Sequence, residues 1–242
     1  MRRIFMVIVL LVIGALMSGC GSLYPVDEIQ ANQIPDVDQL AAVQRAVNEF
    51  KADTAVLPIK TREADTDIFI KYLIDFEKLV PQYLANIPSN AYEKGGIYQY
   101  IIWDAEHNPT VKLVDLQMPE RIREVNLRFT AAQYPQYKDK VADFIYTIDF
   151  KRIGYTESTT VKSPYSNNLL PLLVTTEGAV IVDYRIDLAK ILQEKQIVAQ
   201  PGEDIRRYLV EHYPVVPAYS VPYTVDKNQE PMFMFNPIEG KQ

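Results

Sequence analysis

The chain carries one cysteine, Cys20. A lone cysteine cannot close an internal disulfide, so the residues after it must be held by an apolar core and hydrogen bonds. The material for a core is there. Of the 242 residues, 48% are hydrophobic, and a chain of this length buries most of its apolar surface on folding. The position of the cysteine matters as much as its number. Met1-Arg2-Arg3 is a basic start, Ile4 to Met17 is an apolar run, and Ser18-Gly19 lead into Cys20. The run is shorter than the about 20 apolar residues that span a bilayer as a helix. It has the layout of a secretory signal, a charged n-region followed by a short h-region.

Leu16-Met17-Ser18-Gly19-Cys20 resembles the lipobox of bacterial lipoproteins. Met17 stands where that family usually has Leu, and both side chains are apolar. The resemblance implies a diacylglyceryl thioether on Cys20, cleavage between Gly19 and Cys20, and a protein held to the extracytoplasmic face of the membrane by lipid. Two acyl chains suffice for stable anchoring. The expected parts are a signal peptide over 1–19, a lipidated tether over 20–35, an extracytoplasmic domain over 36–235 with possible halves 36–140 and 141–235, and a tail over 236–242. Pro25, Pro35 and the lack of any period mark the tether.

Charge narrows the partners. The formal net charge is −6, and loss of Arg2 and Arg3 with the signal makes the body more acidic still. Such a body does not suit nucleic acid, which is bound through basic patches. Nor does it suit lying flat on anionic lipid. The expected membrane contact is therefore the lipid on Cys20, and the expected partner is an envelope protein or a small ligand.

Along the domain, Asp36 reads as an N-cap with Gln39 as its capping-box partner. Leu40, Val43, Val47 and Phe50 share one face of a helix over about 36–51. Residues 67–74 (DIFIKYLI) suit a strand or a buried helical turn, and Asp75 starts a short helix that Pro81 ends. Ile97–Trp103 and Thr110–Leu116 form a hairpin around Asp104-Ala-Glu-His-Asn-Pro109. Pro119 at N1 predicts a helix over 119–133. A strand is expected at 143–150, a long loop at 158–168, and a second hairpin from 170–176 and 179–185 with Gly178 in the turn. Helices at 188–196 and 203–213 come next, then extended chain without regular elements from 214 to 242, where prolines recur. Hairpins beside separate helices define an α+β class.

The motif Tyr-x-Ile-Asp recurs at Tyr72–Asp75, Tyr146–Asp149 and Tyr184–Asp187, each time before a helical turn. The spacings are unequal, which excludes a solenoid. An Asp cap at each strand-to-helix junction accounts for the echo; related subdomains are the other reading. The segment IDFEKLVPQYL (74–84), with Asn86-Ile87-Pro88 and then Gly95-Gly96-x-Tyr98, resembles a docking segment of bacterial extracytoplasmic proteins. The body as a whole resembles uncharacterised small lipoproteins of Gram-positive bacteria, some of them described as substrate-binding proteins of transporters.

Chemistry-bearing patterns are few. His107 sits in a turn and His212 at a helix C-terminus, where a protonated imidazole suits the dipole. Glu63-Ala-Asp65-Thr-Asp67 lacks the Gly and distal Glu of a calcium loop. The sequence has no nucleophile elbow, no P-loop and no cysteine pair for zinc. Neither catalytic residues, nor a metal, nor a cofactor is expected. Tyr92, Tyr98, Tyr100 and Trp103 are candidates for a sugar- or peptide-binding platform, although strand alternation sends half of such residues into a core. The expected function is a non-enzymatic accessory or binding module of the envelope. A transporter's solute-binding component is the alternative, and an envelope hydrolase working with carboxylates stands behind it.

Overall fold

A computed structural model describes residues 36–60, 62–63 and 66–234. The signal, Cys20, the tether and the tail at 236–242 lie outside the described residues. The fold is α+β, with helices packed on separate antiparallel sheets.

Helix α1 runs Val37–Thr54. Asp36 caps it, accepting from Asp38 N and Gln39 N at 2.9 and 3.0 Å. The capping box does not close. Gln39 Nε2 instead donates to Ser89 Oγ at 3.1 Å, and its Oε1 has no partner. Val43, Ala46 and Val47 form the buried stripe. Residues 67–74 resolve into both alternatives: α2, Ile68–Lys71, is a single helical turn, and the chain then extends. Helix α3, Phe76–Leu79, comes directly after Asp75.

Strands β1 (Tyr98–Trp103) and β2 (Thr110–Asp115) pair antiparallel, from Tyr98 opposite Asp115 to Trp103 opposite Thr110. Extended chain flanks this hairpin on both edges. Leu73 bridges Ile101, Ile74 bridges Ile59, and Val215 bridges Leu113 in parallel. The hairpin has two buried faces. Tyr98, Tyr100, Ile102, Val111 and Leu113 belong to the main core with α1. Ile101 and Val114 belong to a smaller cluster with Phe69, Val210 and Val216.

Helix α4 spans Gln117–Ala131, two residues earlier than Pro119 suggests. Pro119 falls within the first turn, where its missing N–H has no helical partner to lose. The second sheet joins β3 (Tyr137–Ala142), β4 (Ile145–Ile148), β5 (Thr160–Lys162), β6 (Leu169–Thr175) and β7 (Val180–Val182). Strand β6 is its hub and pairs with β4, β5 and β7. Two of these strands depart from the sequence expectation. β5 lies inside the expected 158–168 loop, and β3 was not expected at all, because its YKDKVA sequence is exposed and charged. Lysines and register shifts are features of an edge strand.

Helix α5 covers Arg185–Glu194 and α6 covers Arg206–His212. Both differ by a few residues from the expected spans. The tail contains a hairpin that the prolines concealed, β8 (Tyr223–Val225) with β9 (Pro231–Phe233). Pro222 precedes one strand and Pro231 begins the other, at edge positions where no ladder donor is needed. The main core draws on residues from Val43 to Phe233, so the stretches 36–140 and 141–235 both contribute to it.

Candidate functional site

The β1–β2 turn is built by Asp104, whose backbone takes a left-handed conformation (φ 49°). Its Oδ1 lies 2.9 Å from His107 Nδ1, and its Oδ2 accepts from Asn108 N at 3.1 Å. The His107 hydrogen bond holds the Asp104 carboxyl below its ordinary value, and Asp104 in turn raises the imidazole. Thr110 Oγ1 donates to Asn108 O at 2.9 Å. The turn sets the register of the two strands, and the register sets which side chains are neighbours. Trp103 stands opposite Thr110, and Ile101 opposite Lys112, so indole, hydroxyl and ammonium share one face of the hairpin.

That face meets the last turn of α6. Lys112 Nζ donates to Val210 O and, at 2.9 Å, to Tyr213 O. Burial lowers the Lys112 ammonium from its usual value, against the pull of Glu211. Between hairpin and helix lies a cleft of about 320 Å³. Trp103, Asp104, Asn108, Thr110 and Lys112 line one side; Val210 and Glu211 close the other. The indole is braced from behind. Phe69 stacks on it with centroids 5.2 Å apart and planes 18° apart. The Arg206 guanidinium lies 4.9 Å from the Phe69 ring, grips Asp204 and donates to Ser220 O.

The four aromatic candidates are not one platform. Tyr98 and Tyr100 are buried in the main core, Tyr92 is 62% exposed on a 3₁₀ turn, and only Trp103 reaches the cleft. Strand alternation separates position 103 from positions 98 and 100. His107 is solvated, with its side chain 82% exposed. His212 Nδ1 lies 2.9 Å from Tyr208 O in the last turn of α6. Asp67 caps α2 through Phe69 N at 2.8 Å. Burial raises its carboxyl despite that bond.

Sequence reasoning passed over Lys112 and Glu211. A signal existed for Lys112, a cation in the middle of the apolar alternation of β2. Glu211 carried none, because its role depends on where α6 docks. Asp187 also differs from the expected pattern. It is not a cap but lies in the first turn of α5, 2% exposed, accepting from Ser163 Oγ and Ser166 Oγ at 2.8 Å each. The other two echo positions do precede helical turns, Asp75 at α3 and Asp149 at the 3₁₀ turn Phe150–Ile153.

Among the described residues no group of three or more His, Cys, Asp or Glu side chains is placed to hold a metal. None of the described helices is long and apolar enough to cross a membrane. Residues 36–115, from α1 to the end of β2, match the family model described as the YphF family N-terminal domain. One wall of the cleft lies inside that stretch, and the α6 wall lies outside it. No curated protein and no solved structure matches the chain.

Proposed function

We propose that this protein is a lipid-anchored binding module of the cell envelope, tethered through Cys20, with the Trp103 cleft as its working surface. The observation that carries the binding role is the convergence at the cleft. The chain's one tryptophan meets both signs of charge at a seam between elements distant in sequence. A largely preformed pocket with a few convergent polar groups is the usual form of a ligand site. The anchor rests on Arg2, Arg3, the apolar run and the lipobox-like residues 16–20.

Binding fits the cleft better than hydrolysis. A carboxyl acting as general acid has to be held above its ordinary value. His107 pushes Asp104 the other way. A soluble ligand in the cleft corresponds to a transporter's solute-binding component; a ligand carried on a larger envelope structure corresponds to an accessory module.

Two measurements test the proposal. In cells fed an alkyne fatty acid, the wild-type chain takes up label and sediments with membranes, and Cys20→Ala does neither. Label retained by Cys20→Ala overturns the anchor. A solute panel screened by thermal melting should raise Tm for at least one compound, since saturation at about 100 times Kd contributes about 2.7 kcal/mol. The rise should shrink in Glu211→Ala. Equal responses of both proteins to every compound overturn the cleft as the working surface.

A further inference from the structure

We infer that the cleft between the β1–β2 hairpin and α6 takes a single saccharide ring, with its apolar face on Trp103 and its hydroxyls among Asp104, Thr110, Lys112 and Glu211. This rests on the binding role proposed above and names the ligand class for that site.

The cleft is small. Its volume of about 320 Å³ is at the low end of the roughly 300–1,000 Å³ typical of ligand pockets, which suits a single ring. Phe69 covers one face of the indole, so Trp103 presents its other face or its edge. Those are the surfaces on which a ring of C–H groups packs.

The polar groups then choose the ligand. Lys112 has three N–H donors, and Val210 O and Tyr213 O take two. One donor is left. Asp104 is already bonded to His107 Nδ1, Asn108 N and the His107 backbone N–H, so its two oxygens keep one lone pair between them. The Thr110 hydroxyl gives its proton to Asn108 O and can still accept. The Glu211 side chain makes no hydrogen bond or ion pair with any described residue, and its charge acts on Lys112 and Arg207 from a distance. Single donors and single acceptors thus alternate around an apolar plate.

A strongly charged ligand does not fit this set. An anion meets Asp104 and Glu211, and a cation meets Lys112. A hydroxyl both donates and accepts, so an uncharged polyol ring uses every group without needing a full ion pair. The same ring chemistry comes from a free sugar or from one residue of a glycan.

The single tryptophan makes the test direct, because all indole emission reports on the cleft. The full chain, in a detergent without a sugar headgroup, is titrated with methyl glycosides of hexoses and N-acetylhexosamines, and with soluble oligosaccharides of the same units. Lysine, citrate and tetramethylammonium are run beside them. The expected result is a saturable change in Trp103 emission with at least one glycoside or oligosaccharide. It should weaken roughly ten-fold in Glu211→Ala, the loss of one charge-assisted hydrogen bond. Comparable affinity for monomer and oligomer assigns a free sugar; binding of the oligomer alone assigns a glycan.

Silence with every saccharide up to about 100 mM, a weak-binding limit well above the millimolar range, overturns the inference. A response unaltered by Glu211→Ala does so too. If a charged solute shifts the emission and Glu211→Ala weakens that shift, the saccharide assignment fails while the cleft stands as a binding site. If Glu211→Ala changes the response to nothing in either panel, both fail together.

Discussion

Asp187 is a carboxylate in the interior without a cation against it. Ser163 and Ser166 donate to its two oxygens, and Ser163 Oγ also accepts from Tyr165 N and Ser166 N. One aspartate therefore fixes the loop before β6 onto α5. Tyr165 and Tyr184 are buried nearby, each feeling its charge, and Lys190 is the cation that acts on it. Burial raises the Asp187 carboxyl from its ordinary value, against the two hydroxyl bonds. A carboxyl raised by folding stabilises the fold below its unfolded value, about 4, and that contribution is lost as pH climbs through the folded value. Melting temperatures across pH 4 to 8 should therefore fall more steeply for wild type than for Asp187→Asn. Asp67 and Asp115 are raised by burial as well, so the difference between the two curves isolates Asp187. Parallel curves would show that its charge is fully compensated. The Tyr-x-Ile-Asp echo pointed at this residue but not at its role. A local pattern cannot reveal which hydroxyls a distant loop will deliver.

At the scale of elements, the loop that leads into β1 turns on two adjacent glycines with different reasons to be glycine. Gly95 sits at φ 83° in open space, whereas a Cβ on Gly96 would meet the Asn90 backbone at 2.1 Å. Gly95→Ala should cost about 1 kcal/mol, the ordinary strain of a left-handed residue. Gly96→Ala should cost about 3 kcal/mol or more, the upper end of overpacking, because neither backbone can give way. For a chain of this size that is about 2–4 °C of Tm for each kcal/mol. Equal losses in the two variants would show that the loop relaxes. The hairpin this loop feeds was legible because its signals are local, with alternating apolar residues on both sides of Asn108-Pro109. So were α1, α4 and the Gly178 turn. Strands β3, β8 and β9 were not. Their charges and prolines describe edges, and a strand at an edge is defined by the neighbour it pairs with. The cleft was half legible. Trp103 stood out as a candidate, while Lys112 and Glu211 gained meaning only when α6 docked.

At the scale of the whole molecule, residues 35–242 cluster as one compact unit by themselves. A chain beginning at Pro35 should melt within about 2 °C of the full chain, a difference worth less than about 1 kcal/mol. A larger drop would assign part of the stability to residues 1–34.

The outer edge of β2 is completed from far along the chain. Leu113 N donates to Pro214 O and Val216 N donates to Leu113 O, each at 2.9 Å. That edge thus waits for chain about a hundred residues further on, as does Lys112, whose acceptor Tyr213 O is 101 positions away. Until that stretch arrives, the Ile101 and Val114 face of the hairpin lacks Val210, Val216 and Ala218. Contacts this distant in sequence form slowly, because the intervening loop must first be closed. A growing chain with such an ending stays open until nearly all of it has emerged.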